Sequence, residues 1–143
     1  MKEWRYIKPL VTESLISDVE KKLDYKFTDS FVSFVKKYNG SRPPVSVFTT
    51  SSLQEKTIKS FLSFNPGDVE NIVRLNKGVA EISELLVAFA IDNFGNYLCF
   101  DRKNHMVFFL DFEIGKTELI DKTFSDFLLK IDTCMIPKVL SLR

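Results

Sequence analysis

Three short apolar runs in the second half of the chain constrain its fold more than any other feature. They are ELLVAFAI at 84–91, YLCF at 97–100 and HMVFFLDF at 105–112. Their lengths and their β-branched and aromatic residues are typical of strands. The links between them are tight and polar, DNFGN and DRKN, which favours antiparallel neighbours. The pattern predicts a sheet in which 84–91 is a buried central strand.

The N-terminal part of the chain has helical periodicity instead. A first helix, which Thr12 can cap, places four apolar side chains on one face: Leu15, Ile16, Val19 and Leu23. A second helix begins near Asp29 and ends at Asn39-Gly40, because glycine favours the left-handed conformation that closes helices. The prolines of SRPP at 41–44 then require an extended exit.

Period-two patterns at 45–50 and 57–64 predict two further short strands. The turn NPGD at 65–68 breaks the second of them. Asp68 can cap a modest third helix, which we expect to end at Gly78.

A last helix opens at Thr123, which forms a pair resembling a capping box with Asp126. The predicted order is therefore α-α-β-β-α-β-β-β-α. We predict an α+β fold in which a mostly antiparallel central sheet of about five to six strands is covered by N-terminal, middle and C-terminal helices. Fourteen Phe, four Tyr and one Trp argue against a disordered chain, and no linker or repeat divides residues 1–143, so we expect a single domain.

Cysteine usage and hydropathy indicate a cytoplasmic protein with no membrane contact. Cys99 and Cys134 lack metal or redox spacing, and the N-terminal MKEWRYIKPL has no continuous apolar region of a signal peptide. No apolar stretch reaches the roughly 18 residues needed to cross a bilayer. The C-terminal segment 134–143 is apolar, and we expect it to dock on the body of the domain.

The charge is small overall and unevenly distributed. The net charge is +1, but the segment from Asp68 to Asp121 carries −5 and the rest of the chain carries +6. Such asymmetry supports electrostatic steering of a partner. The alternative is that these are ordinary solvated charges. Direct nucleic-acid binding is not expected, because it requires a larger basic excess and the Phe positions follow core periodicity.

Catalytic and metal-binding patterns are weak. Asp92 and Asp101, with Asp111 and Glu113, could form a carboxylate site for a metal-dependent hydrolase. Sheet geometry weakens that alternative, because these residues fall near opposite strand ends. The segment DNFGN does not fit a calcium loop, and no phosphate-binding glycine motif is present. We expect no cofactor, no metal and no catalytic residue.

The remaining chemically capable side chains have structural interpretations. His105 lacks a second ligand for zinc and is expected to be a surface turn residue. Cys99 lies in mid-strand without a histidine to activate it, which favours a buried structural thiol. Trp4 and Tyr6 are expected to pack as an arm over the core, with partner contact as the alternative.

Five sequence blocks resemble one family. They are EWRYIKP, FTDSFVSFVKKYNGSRPP, FLSFNPGDVENIV, LLVAFAIDNFGNYLCFD and TFSDFLLKI, in this order along the chain. This arrangement resembles the SUKH superfamily, which contains a fungal cell-wall regulator and many bacterial immunity proteins. The resemblance implies a non-enzymatic binding domain. Bacterial members typically block the active site of a polymorphic toxin from sister cells, and these toxins include nucleases and deaminases.

The acid-rich segment is then the candidate partner surface. We expect six residues to contact a cognate toxin domain, covering its basic active-site cleft: Glu81, Glu84, Asp92, Asn93, Asp111 and Glu113. The alternatives are a regulatory scaffold that binds a cellular protein and a small hydrolase that uses the surface carboxylates. The sequence leaves the toxin's identity and the oligomeric state open.

Overall fold

The computed structural model describes residues 3–132, so Cys134 and the C-terminal segment that we expect to dock lie outside the described residues. The elements in chain order are α1 (Leu15–Leu23), α2 (Asp29–Tyr38), β1 (Val47–Thr49), β2 (Glu55–Thr57), β3 (Ser60–Phe61), α3 (Ile72–Ile82), β4 (Leu86–Ile91), β5 (Tyr97–Asp101), β6 (Val107–Asp111), β7 (Lys116–Asp121) and α4 (Phe124–Ile131). None of the helices in this part of the chain is long and apolar enough to span a membrane.

The main sheet has five antiparallel strands in the order β3-β4-β5-β6-β7, and β1 and β2 form a separate antiparallel hairpin. The register places Leu86 opposite Asp101 and Ile91 opposite Tyr97. The predicted α+β fold is confirmed. The position of 84–91 differs in one respect: β4 is a buried inner strand, but β5 occupies the centre of the sheet.

Two strand predictions are wrong in detail. The segment 57–64 contributes to two strands because the chain changes sheets there. The N–H of Ile58 still donates to Ser46 of the hairpin (2.8 Å), whereas the N–H of Lys59 donates to Ile91 of the main sheet (2.7 Å). β7 has no counterpart in the prediction, because its sequence KTELID is polar and buries one side chain at the sheet edge.

The starts of two helices also differ from the prediction. Ser14, not Thr12, occupies the residue before α1, and the Thr12 hydroxyl contacts the Ser14 hydroxyl instead (3.1 Å). α3 begins after Asn71, whose side chain accepts a hydrogen bond within the first turn. Asp68 does not cap α3, because its carboxylate accepts a hydrogen bond from the Ser63 hydroxyl.

Of the remaining helix boundaries, one differs from the prediction and two agree with it. α3 continues past Gly78 to Ile82, because Gly78 has a helical backbone and its bare α-carbon accommodates the ring of Phe112. Thr123 caps α4 as predicted, and its hydroxyl accepts from the N–H of Asp126 (3.1 Å). α2 begins at Asp29, also as predicted.

Phenylalanine rings fill the space between the sheet and the helices α2 and α4. Phe89 of β4 stacks on Phe100 of β5, with ring centroids 4.3 Å apart. Phe31 of α2 meets both Phe100 and Phe124 edge to face at 5.0 Å. Each buried ring contributes about 1.5–3 kcal/mol through its removal from water. This cluster fixes the sheet against the helices and so makes its turns rigid.

Buried asparagine amides replace backbone pairing where elements meet. Asn76 of α3 donates to the carbonyl of Ala88 (3.0 Å) and accepts from its N–H (2.7 Å). Asn39, in the YNG segment, donates to the carbonyl of Lys8 (2.7 Å) and accepts from the N–H of Phe64 (2.9 Å). The first pair ties α3 to β4, and the second ties the N-terminal arm to the segment after β3.

A candidate protein interface at one end of the sheet

Two turns lie side by side at one end of the main sheet. The β4–β5 turn (92–96) and the β6–β7 turn (112–115) are brought together by antiparallel pairing. The N–H of Phe112 donates to the side-chain oxygen of Asn96 (3.1 Å), which links the two turns directly. We call residues 92–96 and 111–116 the turn end.

Asp92 builds the first of these turns. Its Oδ1 accepts from the N–H groups of Phe94 and Asn96 (both 2.8 Å), and its Oδ2 accepts from the Asn96 side chain (3.0 Å). Its residue surface is only 4% exposed. Gly95 completes the turn with a φ of +85°, a conformation that side chains other than glycine adopt at a cost. The Asp92 carboxylate therefore organises backbone and can influence a partner only through the turn it holds.

The other aspartates of the carboxylate site considered above also accept hydrogen bonds from the backbone of their own turns. Asp111 Oδ1 accepts from the N–H of Glu113 (3.1 Å) in its own turn. Asp101 Oδ1 accepts from the N–H of Lys103 (2.8 Å) at the opposite end of the sheet. Within residues 3–132, no group of three or more His, Cys, Asp and Glu side chains is placed to hold a metal ion.

The C-terminal end of α3 approaches the turn end. The side chain of Ile82 lies 3.5 Å from the point where a β-carbon on Gly115 would stand. Its neighbour Glu81 is exposed. Glu84 follows on the loop to Leu86, which lies at the far end of β4. Four of the six predicted contact residues thus lie near one end of the sheet: Glu81, Asn93, Asp111 and Glu113. Asp92 is buried beneath its turn, and Glu84 lies on the loop that leads away from this end.

The sequence analysis did not identify the two most exposed apolar side chains of the turn end. Phe94 is 79% exposed and Ile114 is 67% exposed, each near the apex of its turn. Apolar side chains presented to water among acidic groups are typical of protein interfaces. For Phe94 a signal was available, since it lies inside the otherwise polar turn sequence DNFGN.

A groove of about 450 Å³ continues from the turn end between the hairpin and β6–β7. Lys56 lies over the ring of Phe109 on its floor, with the ammonium 4.7 Å from the ring centroid. Glu118 accepts hydrogen bonds from the hydroxyls of Ser52 and Thr50, which lower the pKa of its carboxyl. The hairpin is therefore tied to β7, and the groove is preformed.

Cys99 and His105 are two chemically capable side chains for which the sequence predicts no catalytic role. Cys99 is completely buried in β5, and burial raises the pKa of its thiol, so it is a core residue as predicted. His105 is not a free surface residue, because its ring is half-buried and its Nδ1 lies 2.6 Å from the Tyr25 hydroxyl. Burial raises the pKa of Tyr25, so the phenol stays protonated and keeps its hydrogen bond with the His105 ring.

Comparison with known proteins gives one positive result. A search of curated proteins found no similar sequence. A protein-family model described as "SMI1-KNR4 cell-wall" (SUKH_6) matches residues 13–128. This match covers the three central sequence blocks in full and the beginning of the last. The chain therefore belongs to the SMI1-KNR4 family of the SUKH superfamily.

Proposed function

We propose that this protein is a non-enzymatic immunity protein that binds a cognate secreted bacterial toxin through the turn end and occludes its active site. One observation carries the proposal: Phe94 and Ile114 are exposed on two hydrogen-bonded turns, beside the carboxylates of Asp111 and Glu113. Family membership supports a role in protein interaction.

The mechanism is steric, with electrostatic guidance. The two apolar side chains would bury in the toxin as anchors, where truncation typically costs more than 1 kcal/mol each. Glu81 and Glu113 would meet a basic active-site cleft and accelerate the encounter. Because Asp92 and Asn96 already hold the turns, little conformational entropy is lost on binding.

Rescue of poisoned cells tests this function. A secreted toxin domain, sought among the products of the neighbouring genes, is expressed with and without the protein. We expect full rescue by the wild type and loss of rescue by a Phe94→Asp/Ile114→Asp variant that retains its thermal stability. Death of cells that contain the wild-type protein would refute the proposal.

Association kinetics test the electrostatic part separately. Glu81→Gln with Glu113→Gln should lower the association rate with that toxin domain and weaken its dependence on salt. A matched variant, Glu3→Gln with Glu13→Gln, removes the same charge from exposed residues elsewhere. Equal effects from the two variants would show that net charge alone, and not this surface, guides the encounter.

A regulatory scaffold that binds a cellular protein is the second candidate. The description of the matched family model, which refers to the cell wall, favours it. The same turn end would serve as its interface. A neighbouring gene for a large secreted protein with a toxic C-terminal domain would favour immunity over this alternative.

A further inference from the structure

We propose a second binding site, a cleft that takes an extended acidic segment of a protein partner. This arm cleft, about 400 Å³, lies beside the edge strand β3. Ser60, Phe61 and Ser63 form its floor. Residues of the N-terminal arm and of 40–42 form one wall, and residues 67–70 form the other.

The cleft has a small net positive charge, because Lys8, Arg42 and Lys59 outnumber Asp68 and Glu70 in its lining. Of its two carboxylates, Glu70 is paired with Lys59 (2.7 Å) and also accepts from the Ser60 hydroxyl (2.9 Å). Asp68 is engaged by Ser63, as described above. Lys8 and Arg42, in contrast, form no ion pair with any residue in 3–132. Lys8 lies near enough to Glu70 to lower the pKa of its carboxyl, whereas the Arg42 guanidinium lies beside the ring of Tyr6. This net excess of positive charge favours a ligand that brings its own negative charge.

Tyr6 stands at the mouth of the cleft in a strained conformation. Its φ is +57°, a left-handed conformation that is unusual for an aromatic residue. Burial of the ring does not offset this strain, because the residue is 62% exposed. The Arg42 guanidinium lies 5.0 Å from the ring centroid. Arg5 and Arg42 exchange both backbone hydrogen bonds (3.0 and 2.8 Å), so the arm holds this ring in place.

These features together fit a peptide better than a small anion. Tyr6 and the 81% exposed Val69 offer apolar contact on opposite walls, and the cations lie between backbone segments. A compact anion would use only the cations and would leave these apolar contacts unused. An extended segment that alternates acidic and apolar side chains satisfies both kinds of contact.

Tryptophan fluorescence provides a local readout. Trp4 is the one tryptophan of the chain, and its ring centroid lies 5.9 Å from that of Phe61 on the cleft floor. The probe is a short capped peptide of alternating Glu and Leu. We expect a saturable change with the wild type and affinity at least about tenfold weaker for Arg42→Glu.

Matched controls separate this site from general electrostatics. Lys103→Glu makes the same charge change on an exposed turn at the other side of the sheet, and should alter affinity by less than about twofold. A peptide with Gln in place of Glu should bind at least about tenfold more weakly. Circular dichroism verifies that Arg42→Glu is folded, since its backbone hydrogen bonds do not depend on the side chain.

Four results would overturn the proposal. They are no saturable change, equal loss in the two charge variants, competition by inorganic phosphate at the same affinity, and self-association of the wild type that Arg42→Glu abolishes. The last would identify a second copy as the occupant. The site shares no residue with the turn end, so a Phe94→Ala/Ile114→Ala variant should still bind the peptide, and failure of either proposal can be recognised separately.

Discussion

Replacement of Asn76 tests how α3 is held against β4. The side chain lies on α3 and is buried. Its amide accepts a hydrogen bond from the N–H of Ala88 (2.7 Å) and donates one to the carbonyl of Ala88 (3.0 Å). β3 does not supply these bonds, because it pairs with β4 only at Ala90 and Ile91. Asn76→Leu keeps the branched shape of the side chain but leaves two buried backbone groups of Ala88 unpaired. Each costs roughly 1–3 kcal/mol, partly offset by about 1 kcal/mol from the more apolar side chain.

The free energy of unfolding should therefore fall by about 2–4 kcal/mol. Urea unfolding followed by Trp4 fluorescence measures it, because Trp4 stacks on Tyr38 and contacts Phe34. With a slope near 2 kcal/mol per M, the midpoint should move down by roughly 1–2 M. Lys77→Leu, an exposed neighbour on the same helix, should change stability by less than about 0.5 kcal/mol. An Asn76→Leu midpoint equal to that of the wild type would refute this reasoning.

Three further predictions concern stability. Gly78→Ala should raise the free energy of unfolding by about 0.5–1 kcal/mol, because the residue is helical and a β-carbon would meet a neighbouring ring at an ordinary 3.6 Å. Gly95→Ala should lower the free energy of unfolding by about 1–2 kcal/mol, because φ is +85° there. Equal effects in thermal unfolding would contradict both. Burial raises the pKa of Glu70, but hydrogen bonds from Lys59 and Ser60 outweigh it, so the pKa lies below its ordinary value of 4.5. Glu70 therefore stabilises the fold above that value and loses this contribution as the pH falls through the folded pKa, so Glu70→Gln should flatten the acid limb of stability measured against pH.

Much of the architecture follows from residue patterns. The long apolar runs of β4, β5 and β6 are unambiguous because both faces of the inner strands are buried. The helices α2 and α4 are equally clear, since a Phe-rich face and good boundary residues coincide. β7 could not be predicted, because an edge strand needs few apolar residues and its pairing to β6 is a tertiary effect. Gly78 misled the prediction because a glycine inside a helix costs only about 1 kcal/mol relative to alanine, which does not end a helix that is packed on the sheet.

The candidate site was predictable in part. Asn93, Asp111 and Glu113 could be expected to lie at one end of the sheet, because turns between paired antiparallel strands are near one another. That this end binds a partner stays a prediction. The sequence could not show that Asp92 is buried beneath its turn, because that depends on the hydrogen bonds within the turn. Ile114 was missed as well, because the turn sequence FEIG contains a second apolar residue and does not show which of the two is exposed.

The affinity of the turn end for its partner tests the central claim most directly. Calorimetry with the cognate toxin domain would compare Phe94→Ala/Ile114→Ala with a matched pair of exposed apolar residues elsewhere, Val11→Ala/Leu129→Ala. We predict that the turn-end variant binds at least about thirtyfold more weakly, or about 2 kcal/mol, while the control pair binds like the wild type. Unchanged affinity in the turn-end variant would contradict the account.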